Sequence, residues 1–137
     1  MYRRILVPTD GSECAERATD YAIDLARRYD ADVHALFVVD TSIYDEPALS
    51  SAELVIDDLE DWGAGLMEDM SARADEHGID FECKLCHGLP HEEIAKYADA
   101  VEADLIVMGY QGQTHRKHIG SVADRVVRFG DRPVLTV

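Results

Sequence analysis

Apolar residues in this chain alternate between short unbroken runs and stripes spaced at three and four, the signatures of strands buried on both faces and of amphipathic helices. Ile5, Leu6 and Val7 form the first run, which ends at Pro8-Thr9-Asp10-Gly11-Ser12. Ser12 then signals a helix: its hydroxyl suits an N-cap, Glu13 and Glu16 fall in the first turn, and Ala15, Ala18, Ala22, Leu25 and Ala26 share one face. The helix is expected to stop near Asp30. Val33, Ala35, Phe37, Val38 and Val39 predict a second buried strand closed by Asp40, followed by a polar, turn-prone connection over 41–49 that reads as the most mobile loop.

From Ser50 or Ser51 to His77, the steps Val55, Leu59, Trp62, Leu66, Met70 and Ala74 predict a long helix with that stripe in the core and Gly78 as its C-cap. Ile79, Phe81, Cys83 and Leu85 then alternate with Asp80, Glu82 and Lys84, a strand covered on one face and therefore placed at a sheet edge, with Cys83 buried and Cys86 at its end. Pro90 opens a helix through Ile94, Ala95, Ala98 and Val101, and residues 104–108 form another central strand. After a loop over 109–120, Ser121 with Asp124 resembles a capping box, and Val122, Val126, Val127 and Phe129 carry the helix to Gly130. Residues 133–137 supply a fifth strand, with Pro133 tolerated at its first position. Five strands alternating with four helices predict an open parallel α/β sheet with helices on both faces, in one domain of 137 residues.

Charge narrows the partners. Thirteen Lys and Arg against 28 Asp and Glu give a net charge of -15, a field that repels phosphate backbones and anionic headgroups, so neither nucleic acid nor a membrane surface is expected. Only Lys84, Lys96 and Lys117 are lysines. That acidic, Lys-poor balance is tolerable where salt screens it and points to a halophilic source. No apolar run has the length of a membrane span, and the three apolar residues before Pro8 are too few for a signal-peptide core. Three cysteines cannot all pair internally, which suits a reducing cytoplasm.

In such a sheet ligands bind beyond the C-terminal strand ends, where strand order reverses. Pro8-Thr9-Asp10-Gly11-Ser12 is one such end, and the loop over 109–120 is the other. Gly109, Gly112 and Gly120 let backbone amides approach a ligand, Gly120 delivers the chain to a helix N-terminus, and His115-Arg116-Lys117-His118 concentrates cations there. The spacing is neither that of a P-loop nor that of a dinucleotide fingerprint. Cys83-Lys84-Leu85-Cys86-His87 matches a haem-attachment pattern, but in an edge strand of a chain without an export signal. Zinc on Cys83, Cys86, His87 and His91 is disfavoured because residues 83 and 86 point to opposite strand faces. No catalytic triad or G-x-S-x-G elbow is present, and no general base for a water is evident.

Ile5-Leu6-Val7-Pro8-Thr9-Asp10-Gly11-Ser12, Gly88-Leu89-Pro90, Asp104-Leu105-Ile106-Val107-Met108-Gly109, Gly112, Gly120-Ser121-Val122 and Arg132-Pro133-Val134-Leu135 together resemble the universal stress protein family, in order and almost end to end. The resemblance implies strand order 3-2-1-4-5 in a Rossmann-like, adenine-nucleotide-binding fold. In the nucleotide-binding branch, Asp10 meets the ribose or a Mg²⁺, Pro8, Thr9 and Val38 line the base side, and Met108 and Gly109 floor the pocket. Gly112, Gly120, Ser121 and Val122 then hold phosphates. That branch spaces its last two glycines by nine residues, and this chain has seven between Gly112 and Gly120. The shorter reach lets AMP or ADP compete with ATP, and with no general base for a water at most slow ATP hydrolysis is expected. The resemblance also implies a stress-response role and a homodimer joined through the apolar fifth strand. The alternative is a nucleotide-free dimeric interaction protein of the same fold.

Overall fold

The computed structural model describes residues 2–41, 49–111 and 119–137. Strands β1 (Arg4–Pro8), β2 (Asp32–Asp40), β3 (Phe81–Gly88), β4 (Leu105–Met108) and β5 (Val134–Thr136) alternate with helices α1 (Glu13–Tyr29), α2 (Leu49–Glu76), α3 (Pro90–Val101) and α4 (Ser121–Phe129). All pairings are parallel, in the order β3-β2-β1-β4-β5. The expected fold and the edge position of β3 are both found. Of the predicted 41–49 connection, residues 42–48 lie outside the described residues, as do Gly112 and the basic run 115–118.

The unalternating runs are explained by burial from both sides. Ile5 and Val7 pack with Phe37, Met67 and Met70 under α1 and α2, whereas Leu6 and Leu36 pack with Ile94, Ala123 and Val126 under α3 and α4. Ile5, Leu6 and Val7 are all 0% exposed, so none of these three positions in β1 is free to be polar. Helix α1 is capped as its sequence predicts: Ser12 Oγ accepts from the Ala15 N–H at 3.2 Å, and Asp30 closes the helix in the left-handed region. At the other end of the sheet, Asp104 Oδ2 accepts from the N–H groups of Arg3 (2.8 Å) and Arg4 (3.0 Å). These bonds, the Arg3 one foremost, hold its carboxyl below the usual aspartate value.

Four details depart from the sequence expectation. The buried stripe of α2 is Gly63, Met67, Met70 and Ala74, so Trp62 turns outward at 44% exposure and Val55 at 41%. Gly63 is the reason: an ideal Cβ there would sit 2.5 Å from the Phe37 ring, so the closest approach of helix to sheet falls beside Trp62 and not on it. Cys83 is exposed, since on an edge strand the longer Phe81 and Leu85 reach beneath α2 and the short thiol between them does not. In α3, Ala95 is exposed and Tyr97 takes the place expected for it against the core. In α4 the N-cap is Gly120, with Ser121 already the first helical residue. The capping box is therefore absent, and Asp124 instead pairs with Arg128 at 2.9 Å, while Val127 and Phe129 face outward at 49% and 79% exposure.

Candidate functional site

Because β1 lies between β2 and β4, the chain leaves β1 toward one face of the sheet, and the helix that follows β4 covers the other. The divergence leaves a cleft of about 500 Å³ at the C-terminal strand ends. Pro8, Thr9 and Asp10 line it from the end of β1 and the turn after it, Val38 from β2, Met108 and Gly109 from the end of β4 and just beyond, and Gly120, Ser121 and Val122 from the start of α4. The structure thus brings together every residue that the family resemblance assigned to a nucleotide except Gly112, which lies outside the described residues, as does the basic run 115–118.

The turn after β1 is held by its own short polar side chains. Thr9 Oγ1 accepts from the Gly11 N–H at 3.2 Å and Asp10 Oδ1 from the Ser12 N–H at 2.9 Å, while the Thr9 N–H donates to the Leu36 carbonyl at 2.9 Å. Gly11 takes φ 77°, a conformation that favours glycine. Across the cleft, Gly109 lets the end of β4 lie directly against α1: an ideal Cβ there would be 2.8 Å from Cys14 Cβ and 2.9 Å from the Ala15 nitrogen. The Gly120 N–H donates to the Tyr110 carbonyl at 2.7 Å, and the Tyr110 N–H to the Val137 carbonyl at 2.8 Å, which fixes the entry to α4 beside the last strand.

Three helices begin at this cleft. Ser12 caps α1 with its hydroxyl, whereas neither Leu89 at α3 nor Gly120 at α4 supplies a side-chain cap; α3 starts on Pro90, which has no N–H, so the first-turn amides of α4 are the ones left for whatever fills the space. One wall is apolar, from Leu36, Val38, Pro90 and Ile94. Among the described lining residues the charged side chains are two carboxylates, Asp10 and Asp40. An apolar slot, a carboxylate and an uncapped helix start can accept, in turn, a planar base, a hydroxylated sugar and an anionic group.

Sequence reasoning passed over Leu36, Asp40, Pro90 and Ile94 as wall residues. Leu36 was legible in principle, since it lies two positions before Val38 and shares its strand face. Pro90 and Ile94 reach the cleft only because α3 folds back over β2, a tertiary fact. Around the Cys83/Cys86 motif, the Cys86 thiol is pushed up by burial and by Glu93, and His87 Nε2 engages Glu60 Oε1 at 2.7 Å. Among the described residues no group of three or more His, Cys, Asp or Glu is placed to hold a metal ion, and no helix is long and apolar enough to cross a membrane.

A sequence model of the universal stress protein family matches residues 1–137. A universal stress protein of Methanocaldococcus jannaschii is 39% identical over 140 residues, covering 100% of this chain and 82% of the relative. Among solved structures, the protein MJ0577 of the same organism superimposes with a TM-score of 0.89 at 31% identity, over 100% of this chain and 96% of its own. A universal stress protein solved in complex with cAMP matches at 27% identity and a TM-score of 0.71, over 99% of this chain and 96% of its own.

Proposed function

Because this chain belongs to the universal stress protein family, we propose that it is an adenine-nucleotide-binding regulatory module of the stress response. The observation that carries the reading is the start of α4: its N-cap, Gly120, has no side chain to cap the first-turn amides, and Gly120, Ser121 and Val122 line an apolar cleft beside Asp10. The base lies against Val38, Pro8 and Thr9, above the floor of Met108 and Gly109. Asp10 takes the ribose hydroxyls or a Mg²⁺ brought in with the nucleotide. Gly120, Ser121 and Val122 take the phosphates through amides and the Ser121 hydroxyl, joined by Gly112. The relative solved with cAMP supports an adenine ligand on this fold. ATP, ADP and AMP compete for the site, and binding, not turnover, is its work. A reducing cytoplasm, where nucleotides are abundant, suits Cys14, Cys83 and Cys86, all of which are free.

Denaturing the purified protein and chromatographing the supernatant should release an adenine nucleotide. Gly120→Val should abolish that retention by blocking the amides, and Ser121→Ala should weaken it by removing one hydroxyl contact. A supernatant free of nucleotide, together with no calorimetric response to ATP, ADP or AMP with Mg²⁺, would refute the reading.

A homodimer through β5 belongs to the same proposal, and to its rival, the nucleotide-free interaction protein. Specific observations favour pairing: β5 is a sheet edge, its Leu135 is 37% exposed, and the neighbouring α4 exposes Val127 and Phe129. A two-fold pairing lets one such patch cover itself. Light scattering at high salt should give twice the chain mass, and Leu135→Asp should return it to the monomer. Monomeric parent protein at both low and high salt would exclude pairing. The rival gains if dimers form while Gly120→Val and the parent behave identically toward nucleotide.

A further inference from the structure

Gly11 lies beneath the indole of the protein's single tryptophan. An ideal Cβ at Gly11 would stand 2.5 Å from Cζ2 and 2.7 Å from Cη2 of Trp62, and 3.1 Å from Cδ1 of Leu66. Trp62 reaches this point from α2 and does not itself line the cleft. Its ring is braced edge-to-face on Phe37, with centroids 6.0 Å apart and planes at 85°. Phe37 in turn fills the space that Gly63 leaves open. The side chain is therefore gripped on its inner side while 44% of the residue remains exposed.

The turn that Trp62 touches carries Asp10. Gly11 N–H to Thr9 Oγ1 and Ser12 N–H to Asp10 Oδ1, each spanning two residues, shape the turn. Its first residue is tied to β2, where the Thr9 N–H donates to the Leu36 carbonyl at 2.9 Å. The indole on Gly11 adds a contact from a different element, α2, at the residue that follows Asp10. Gly11 serves both ends of it, since φ 77° and the absence of a Cβ are each needed for the turn to pass under the ring.

We infer that Trp62 is a positioning residue for the cleft: its indole holds the 9–12 turn so that Asp10 is presented to the ligand, and occupancy of the cleft is felt at the indole on the surface of α2. The inference rests on the adenine-nucleotide reading of the cleft. It gives α2, which otherwise only covers the sheet, a direct mechanical link to the site. It also explains why a large aromatic side chain is kept half in solvent, where burial alone would favour a smaller residue.

The test compares the parent with Trp62→Phe and Trp62→Ala, using AMP and Mg·ATP as probes. Without ligand, Trp62→Ala should exchange the Gly11 and Ser12 amide hydrogens faster than the parent, with strand amides unchanged, and Trp62→Phe should restore protection. By calorimetry Trp62→Ala should bind about tenfold more weakly, the loss expected when a preorganised loop must be ordered by the ligand itself, and Trp62→Phe should bind near the parent value. Parent tryptophan emission should shift on titration with the same midpoint as the heat signal. If Trp62→Ala retains both amide protection and affinity, the inference is overturned. If the parent binds neither nucleotide, the ligand reading fails separately, and amide exchange still decides whether Trp62 holds the turn. Should Trp62→Ala not fold, Trp62→Leu carries the same comparison, and parent-like exchange and affinity there overturn the inference equally.

Discussion

Valine in place of Gly109 should destabilise the protein by about 3 kcal/mol or more, at or beyond the upper end of what overpacking usually costs, because the obstacle is main chain. The first added carbon would already sit 2.9 Å from the Ala15 nitrogen and from the Cys14 carbonyl carbon, in the first turn of α1. Those atoms cannot rotate away as a flexible side chain would. The end of β4 and the start of α1 must therefore separate, which opens the cleft floor and breaks the fit of Met108 against its neighbours. Gly109→Ala brings the same first contact without the branching methyls and should fall between valine and the parent. Urea unfolding followed by circular dichroism measures both. Parent-like midpoints in the two variants would mean that β4 and α1 do not touch where they are placed. Lost nucleotide retention in a Gly109→Ala protein that still folds would tie the same contact to the site.

Salt should act on the whole molecule. An excess of 15 negative charges on 137 residues means that most carboxylates have no cation of their own. Cations are scarce enough that one of them is shared, as where Arg73 meets both Glu16 and Asp20. Repulsion among the rest reaches across the surface while the screening length is about 10 Å at 0.1 M salt, and is largely removed at about 3 Å in 1 M. The thermal midpoint should accordingly climb steeply from dilute buffer to molar potassium chloride. Sucrose, which favours burial without screening charge, should reproduce only a small part of the rise. A midpoint that does not move between the two salt concentrations would remove the halophilic interpretation.

Most of the fold was readable because the signals were redundant. Ser12 and Asp30 mark both ends of α1 by chemistry as well as by periodicity, and Ile5 to Val7 are apolar at every position because helices cover both sides. The misreadings came where local signals and tertiary packing disagree. Trp62 fits an apolar stripe by size and spacing, but packing is decided by Gly63, which hydrophobicity counts as neutral and which matters only because Phe37 stands opposite. Cys83 obeys the alternation of its strand, yet alternation cannot say how far a covering helix extends over an edge. Ser121 carries the residue type of an N-cap one position too late, and the glycine before it takes the role. For the cleft, the two strand ends were legible as glycine-bearing loops, whereas the wall from Pro90 and Ile94 depends on which helix returns over which strand. No spacing within one segment records that.

The central place of β1 also sets a timetable. Its first partner, β2, begins at Asp32, but its second, β4, begins only at Leu105. The clasp of Asp104 on the Arg3 and Arg4 amides joins residues 101 and 100 positions apart. At about 5–20 residues per second of synthesis, one side of β1 emerges from the ribosome many seconds before anything exists to pair with it. A half-sheet of β1, β2 and β3 formed on the nascent chain would carry an apolar, unpaired margin at Ile5 to Val7, a template for wrong strands as well as right ones. Closure by β4 ends that exposure and creates the cleft in the same step. A chain released early would lack both, so quality control that recognises the open margin would, without reading the site, discard the molecules that have none.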